Sequence, residues 1–85
     1  MRKLYIIVEV QTADYGVPFV LIHLNTYDLA YATERFTYIR DTVQTTLLED
    51  EYLTELSDRK FYTHNPRTGM AHTFSLVTNK IEGEN

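Results

Sequence analysis

Over residues 3–12 apolar side chains recur at every second position, with Leu4, Ile6, Val8 and Val10 on one side and Tyr5, Ile7, Glu9 and Gln11 on the other. A period of two is the signature of a β-strand. From Asn25 the period lengthens to about three and a half, as Leu29, Ala32, Phe36, Ile39, Val43 and Leu47 recur at spacings of three and four. That is an amphipathic helix. After Arg59 the alternation returns, so the chain mixes strands and helix in separate blocks, which points to the α+β class.

Between these blocks the punctuation is local. Ala13-Asp14-Tyr15-Gly16 supplies turn residues, and a second strand runs from Val17 to Asn25, with Pro18 tolerated at its start. Its two sides, Val20, Ile22 and Leu24 against Phe19, Leu21 and His23, are both largely apolar. A strand apolar on both sides is usually covered on both, yet one set of helices can cover only one. Asn25 or Thr26 is the expected N-cap, with Asp28 in the first turn. The β-branched cluster Thr42, Val43, Thr45 and Thr46 predicts a break. Thr46 and Glu49 then fit a capping box opening a second short helix with Tyr52, Leu53 and Leu56 inward, a reading preferred over a strand at residues 42–48.

Residues 60–65 and 70–79 read as a hairpin joined by Asn65-Pro66-Arg67-Thr68-Gly69. The expected fold is therefore α+β: a four-stranded antiparallel sheet in the order β-β-α-α-β-β, with the helices packed on one face. Leu29, Phe36, Ile39 and Val43 are expected against Leu4, Ile6, Val8, Val20, Ile22 and Leu24, leaving Tyr5, Ile7, Phe19, Leu21 and His23 on the open face. Residues 1–81 form one domain, and residues 82–85 a frayed tail.

Several chemistries are excluded. With no cysteine, the chain has no disulfide, thiolate nucleophile or zinc ribbon. Glu9 interrupts the first apolar run too early for an export signal or a membrane span, so a cytoplasmic protein is expected. His23, His64 and His72 follow no metal signature, although His64 and His72 could face each other across the hairpin. No metal or other cofactor is expected. The acids lie where helical periodicity turns them outward, and Ser57 and Ser75 sit in no nucleophile motif, so catalysis is not expected either.

Charge is unevenly spread within a net −4, because residues 26–58 carry eight acids against Arg35 and Arg40. That balance disfavours direct binding to nucleic acid. The hairpin of residues 59–80 has no acid and interleaves Arg59, Lys60, Arg67 and Lys80 with Phe61, Tyr62, His64 and His72. Arg59, Lys60, His64, Arg67 and His72 are therefore candidate contacts for an anion or a nucleotide. Seven tyrosines are many for this length, and tyrosine is enriched at interfaces. Tyr31 and Tyr38 flank the helical core stripe and join Tyr5, Ile7, Phe19 and Leu21 as candidate partner-binding residues.

The opening Met1-Arg2-Lys3-Leu4-Tyr5-Ile6-Ile7-Val8-Glu9-Val10-Gln11, the passage from strand to helix through Asn25-Thr26-Tyr27-Asp28-Leu29-Ala30, and the C-terminal hairpin resemble the layout of small phage-encoded inhibitors of bacterial defence. Some type I anti-CRISPR proteins are the most similar. The likeness spans about half the chain and carries no functional residue. It implies a non-enzymatic inhibitor in the cytoplasm of a bacterial host, with a host protein or complex as partner, the chain forming a homo-oligomer or acting singly, and no membrane contact. The alternatives it leaves open are a sponge for a nucleotide signal and a small oligomeric nucleic-acid-associated protein.

Overall fold

The computed structural model describes residues 2–13 and 16–80; the expected tail at 82–85, and the middle of the turn at Asp14 and Tyr15, lie outside the described residues. The elements are β1 (Lys3–Thr12), β2 (Phe19–Thr26), α1 (Leu29–Thr45), β3 (Tyr52–Ser57), β4 (Lys60–Asn65) and β5 (Met70–Lys80). The five strands form one antiparallel sheet in the order β2-β1-β5-β4-β3. The α+β class is as expected. Strand number and order are not: five strands and one helix replace four strands and two.

The difference lies at residues 46–57. α1 does stop in the threonine cluster, where the Thr45 hydroxyl donates to Thr42 O at 2.8 Å and the Thr46 hydroxyl to Val43 O at 3.1 Å. Such back-bonding competes with continuation of the helix. Instead of opening a helix at Glu49, the chain makes a short turn in which Leu48 N donates to a Glu51 carboxylate oxygen at 3.0 Å. Tyr52 to Ser57 then alternate as a strand, with Leu53 opposite Thr63 and Glu55 opposite Phe61. A tight turn at Asp58 and Arg59 leads into β4. Cross-strand pairing offers this segment a full hydrogen-bond ladder, which a single isolated helical turn lacks.

At its N-terminus α1 is capped by Asp28 rather than by Asn25 or Thr26. Its carboxylate accepts from Tyr31 N at 3.1 Å, while Thr26 Oγ1 accepts from Asp28 N at 3.1 Å.

The core reverses the expected phase. α1 packs on the side of the sheet that carries Tyr5, Ile7 and Glu9, where Ile7, Ala32, Phe36, Phe61, Phe74 and Leu76 are buried together. Leu24, Ile39, Val43, Leu53 and Tyr5 pack around them. Ile7 is fully inaccessible, so the expectation that it meets a partner fails. Leu4, Ile6, Val8 and Val10 lie on the opposite, uncovered face, and Val20 and Ile22 are exposed there at 57% and 64%.

The aromatics explain the choice of face. The register of β1 on β5 and of β5 on β4 sets Glu9, Phe74 and Phe61 side by side on one surface. The Phe61 and Phe74 rings stack at 4.7 Å, and Phe36 descends from α1 onto Phe61 at 5.4 Å. Phe61 and Phe74 give the helix a large aromatic surface on which to bury Phe36, at about 1.5–3 kcal/mol for each large side chain removed from water. On the other side β5 and β4 offer Thr73, Ser75, Lys60 and Tyr62, which give a helix little to bury.

A bulge in β2 completes the covered face. The pairing on β1 jumps from Ile7↔Leu24 to Val8↔Ile22 and leaves His23 as the extra residue. Leu24 thereby reaches the core beside His23, whereas a regular strand would send them to opposite sides.

Candidate functional site

Polar chemistry gathers at one place on the covered face, around Glu9. The residue is only 6% exposed and its carboxylate is met from three directions. His23 Nε2 lies 2.7 Å from Oε1, His72 Nδ1 lies 2.7 Å from Oε2, and Gln11 Nε2 donates to Oε2 at 2.9 Å. β1 supplies Glu9 and Gln11, the bulge of β2 supplies His23, and β5 supplies His72, which stands opposite Gln11.

Burial alone would raise the Glu9 carboxyl pKa, but hydrogen bonds from His72, His23 and Gln11 outweigh it and hold the group below its ordinary value. An ionised carboxylate only accepts. The network therefore assigns the proton of His72 to Nδ1 and that of His23 to Nε2 when the rings are neutral. The His23 ring also stacks on Phe74 at 5.8 Å, which anchors the centre to the aromatic core.

Beside Glu9 lies a cavity of about 250 Å³, roofed by Val43, Thr46 and Leu47 at the end of α1 and floored by Glu9, Thr63, His72 and Phe74, with Glu51 at its side. The two imidazoles contact opposite carboxylate oxygens and do not converge on a common point. Among the described residues no group of three or more His, Cys, Asp or Glu is arranged to hold a metal ion.

The second candidate is the uncovered sheet face. Leu4, Ile6, Val8 and Val10 of β1 stand beside Val20 and Ile22 of β2 and Val77 of β5. Farther across, Tyr62 of β4 stands between Thr73 of β5 and Thr54 of β3, and Tyr52 stands opposite His64 with its hydroxyl 3.0 Å from His64 Nδ1. Lys60 is the one charged residue at the paired positions of this face among the described residues.

The residues singled out in the sequence are distributed as follows. Tyr5, Ile7, Phe19 and Leu21 were expected on the open face, but the register puts all four on the helix side. Tyr5 packs against the core and Leu21 is half-buried, while Phe19 remains 57% exposed. Tyr31 and Tyr38 are exposed on α1, and Arg35 lies over the Tyr38 ring at 4.8 Å.

The basic hairpin does not assemble into one patch. His72 pairs with Thr63 and faces α1, whereas His64 pairs with Ala71 on the other side, so the two do not meet across the hairpin. Arg67 forms an ion pair with Asp50, and Arg59 donates to Thr78 Oγ1 at 3.3 Å.

Sequence reading missed the Glu9 centre, although one signal was present. Glu9 is the only charged residue on its side of the alternation from Tyr5 to Gln11, and His23 lies on the adjoining strand. A lone acid within an apolar face calls for partners. Among the described residues no helix is long and apolar enough to cross a membrane.

No protein-family model matches the chain, and no curated protein or solved structure is significantly similar to it.

Proposed function

We propose that this chain is a non-catalytic binding protein whose interaction surface is the uncovered face of its sheet, and that the first occupant of that face is a second copy of the chain. The observation that carries the reading is the contiguous aliphatic surface of β1 and β2, free of charge, on a chain in which 24% of residues are charged. Exposed apolar area of this extent marks an interaction site.

Among the described residues no acid stands at the paired positions of this face, which favours a copy over a nucleic acid. Two chains of net charge −4 can meet there without opposing carboxylates, while Lys60 alone supplies little phosphate neutralisation. The size also fits. Five strands at about 4.8 Å spacing, with six residues at about 3.3 Å rise, span roughly 24 by 20 Å. With side-chain relief this approaches the ~600–800 Å² per partner of stable interfaces. Sheets pack face to face in this way in β-sandwiches.

The pair would present two outward helix faces carrying Tyr31 and Tyr38, and would act stoichiometrically, as an inhibitor does, by occupying a host protein's surface. Native mass determination of the purified chain should give the dimer. Ile22→Asp, at an exposed position, should shift it to monomer with helical content unchanged. A monomeric parent, or an Ile22→Asp chain that still pairs, overturns the reading.

A further inference from the structure

The cavity under the C-terminal end of α1 lies on the face that such a dimer leaves outward, and its lining is chemically one-sided. Neither Lys nor Arg contributes to it. His72 gives its Nδ1 proton to Glu9, so the neutral ring keeps a free lone pair at Nε2, an acceptor.

Glu51 is the second carboxylate of the lining, with one oxygen engaged by Leu48 N. The roof is the last turn of α1, the negative end of the helix dipole. Thr63 adds a hydroxyl that donates or accepts as required, Thr46 one whose proton goes to Val43 O and whose oxygen still accepts, and Val43, Leu47 and Phe74 supply apolar wall. Phosphates and carboxylates would meet like charge here.

We propose that this cavity is a binding site for a small organic cation, a primary ammonium group on a short apolar stem. The ammonium donates to His72 Nε2 and the Glu51 carboxylate, with the stem lying against Val43, Leu47 and Phe74. An ammonium offers three donors and no acceptor, the complement of this lining. A void of about 250 Å³ exceeds the ~150 Å³ that holds benzene in an engineered protein cavity, so a stem of four or five carbons fits. Glu9 acts as a positioning residue, because it sets the tautomer and orientation of His72 without itself giving up its three donors.

The test is titration of the full, isotope-labelled chain with n-butylammonium chloride, sodium butyrate, sodium phosphate and zinc chloride, followed by NMR. Butylammonium should shift the amide signals of Thr46, Thr63, His72 and Phe74, and butyrate and phosphate should leave them in place. Glu51→Gln keeps an oxygen for Leu48 N but removes the charge, and should weaken butylammonium binding about tenfold, or ~1.4 kcal/mol. Ile22→Asp, on the opposite face, should bind it as the parent does, so failure of the dimer and failure of the site are distinguishable. Equal response to butyrate, no response to butylammonium, or saturable zinc binding at His23 and His72 overturns the proposal.

Discussion

The two faces of this sheet share the same strands and the same alternation, yet they contrast in chemistry. The face under α1 holds a buried carboxylate, two imidazoles and a glutamine amide beside its phenylalanines. The face left uncovered carries Leu4, Ile6, Val8, Val10, Val20 and Ile22 at its β1–β2 side. Aliphatic count along β1 would assign the helix to the wrong side. What decides is the burial summed over all five strands, because Phe61 and Phe74 on β4 and β5 outweigh the local advantage of β1. The polar atoms on the winning side are then tolerated because each finds a partner. Among the described residues no buried side-chain nitrogen or oxygen lacks one.

The sharpest way to break the comparison is to remove an aromatic from the covered face. Phe36→Ala should cost about 3–5 kcal/mol, a large share of the stability of a domain this small. A melting temperature within a few degrees of the parent would mean that the aromatic stack does not decide the face.

Next in size is Glu9→Gln, which preserves shape but sets an amide NH₂ against one of the three donors. A loss of about 1–3 kcal/mol is expected from the mismatched buried group, read by urea denaturation at neutral pH. The acid dependence carries its own sign. Because the folded-state pKa of Glu9 is depressed, its contribution is present in full above the ordinary carboxylate pKa and is lost as pH falls through the lower folded value. The parent should therefore lose more stability than Glu9→Gln across that acid range. Parallel curves for the two would show that Glu9 gains nothing from its histidines.

The smallest effect should come from the uncovered face. Ile22→Thr, tested on the isolated monomer at high dilution, should change stability by less than about 0.5 kcal/mol. A loss near that of Phe36→Ala would show that the face is covered within a single chain.

Much of the secondary structure was legible in the order of residues. The first strand, the helical stripe through Ala32, Phe36, Ile39 and Val43, its stop among the threonines, and the hairpin closed by Asn65 and Gly69 all follow from periodicity and local bonding. Asn65 Oδ1 accepts from Arg67 N at 3.0 Å and from Thr68 N at 3.4 Å, and Gly69 takes the positive φ of 73° that closes the turn. Residues 52–57 read as helical because Leu53 and Leu56, three apart, fit the helical period, and only the ladder to β4 makes the segment a strand.

The candidate site was far less legible. Glu9, His23 and His72 are brought together by the register of two strand pairs and by a bulge, none of which leaves a mark in the spacing of residues 9, 23 and 72. The sequence by itself determined the first two strands, the helical stripe and the C-terminal hairpin, since those depend on neighbours within a few positions, whereas β3 took its form from the ladder to β4. Which face the helix covers was decided only in the tertiary structure, because alternation divides a strand into two sides without saying which is inside. That choice rests on aromatic area contributed by β4 and β5, which lie beyond the helix and far along the chain from β1.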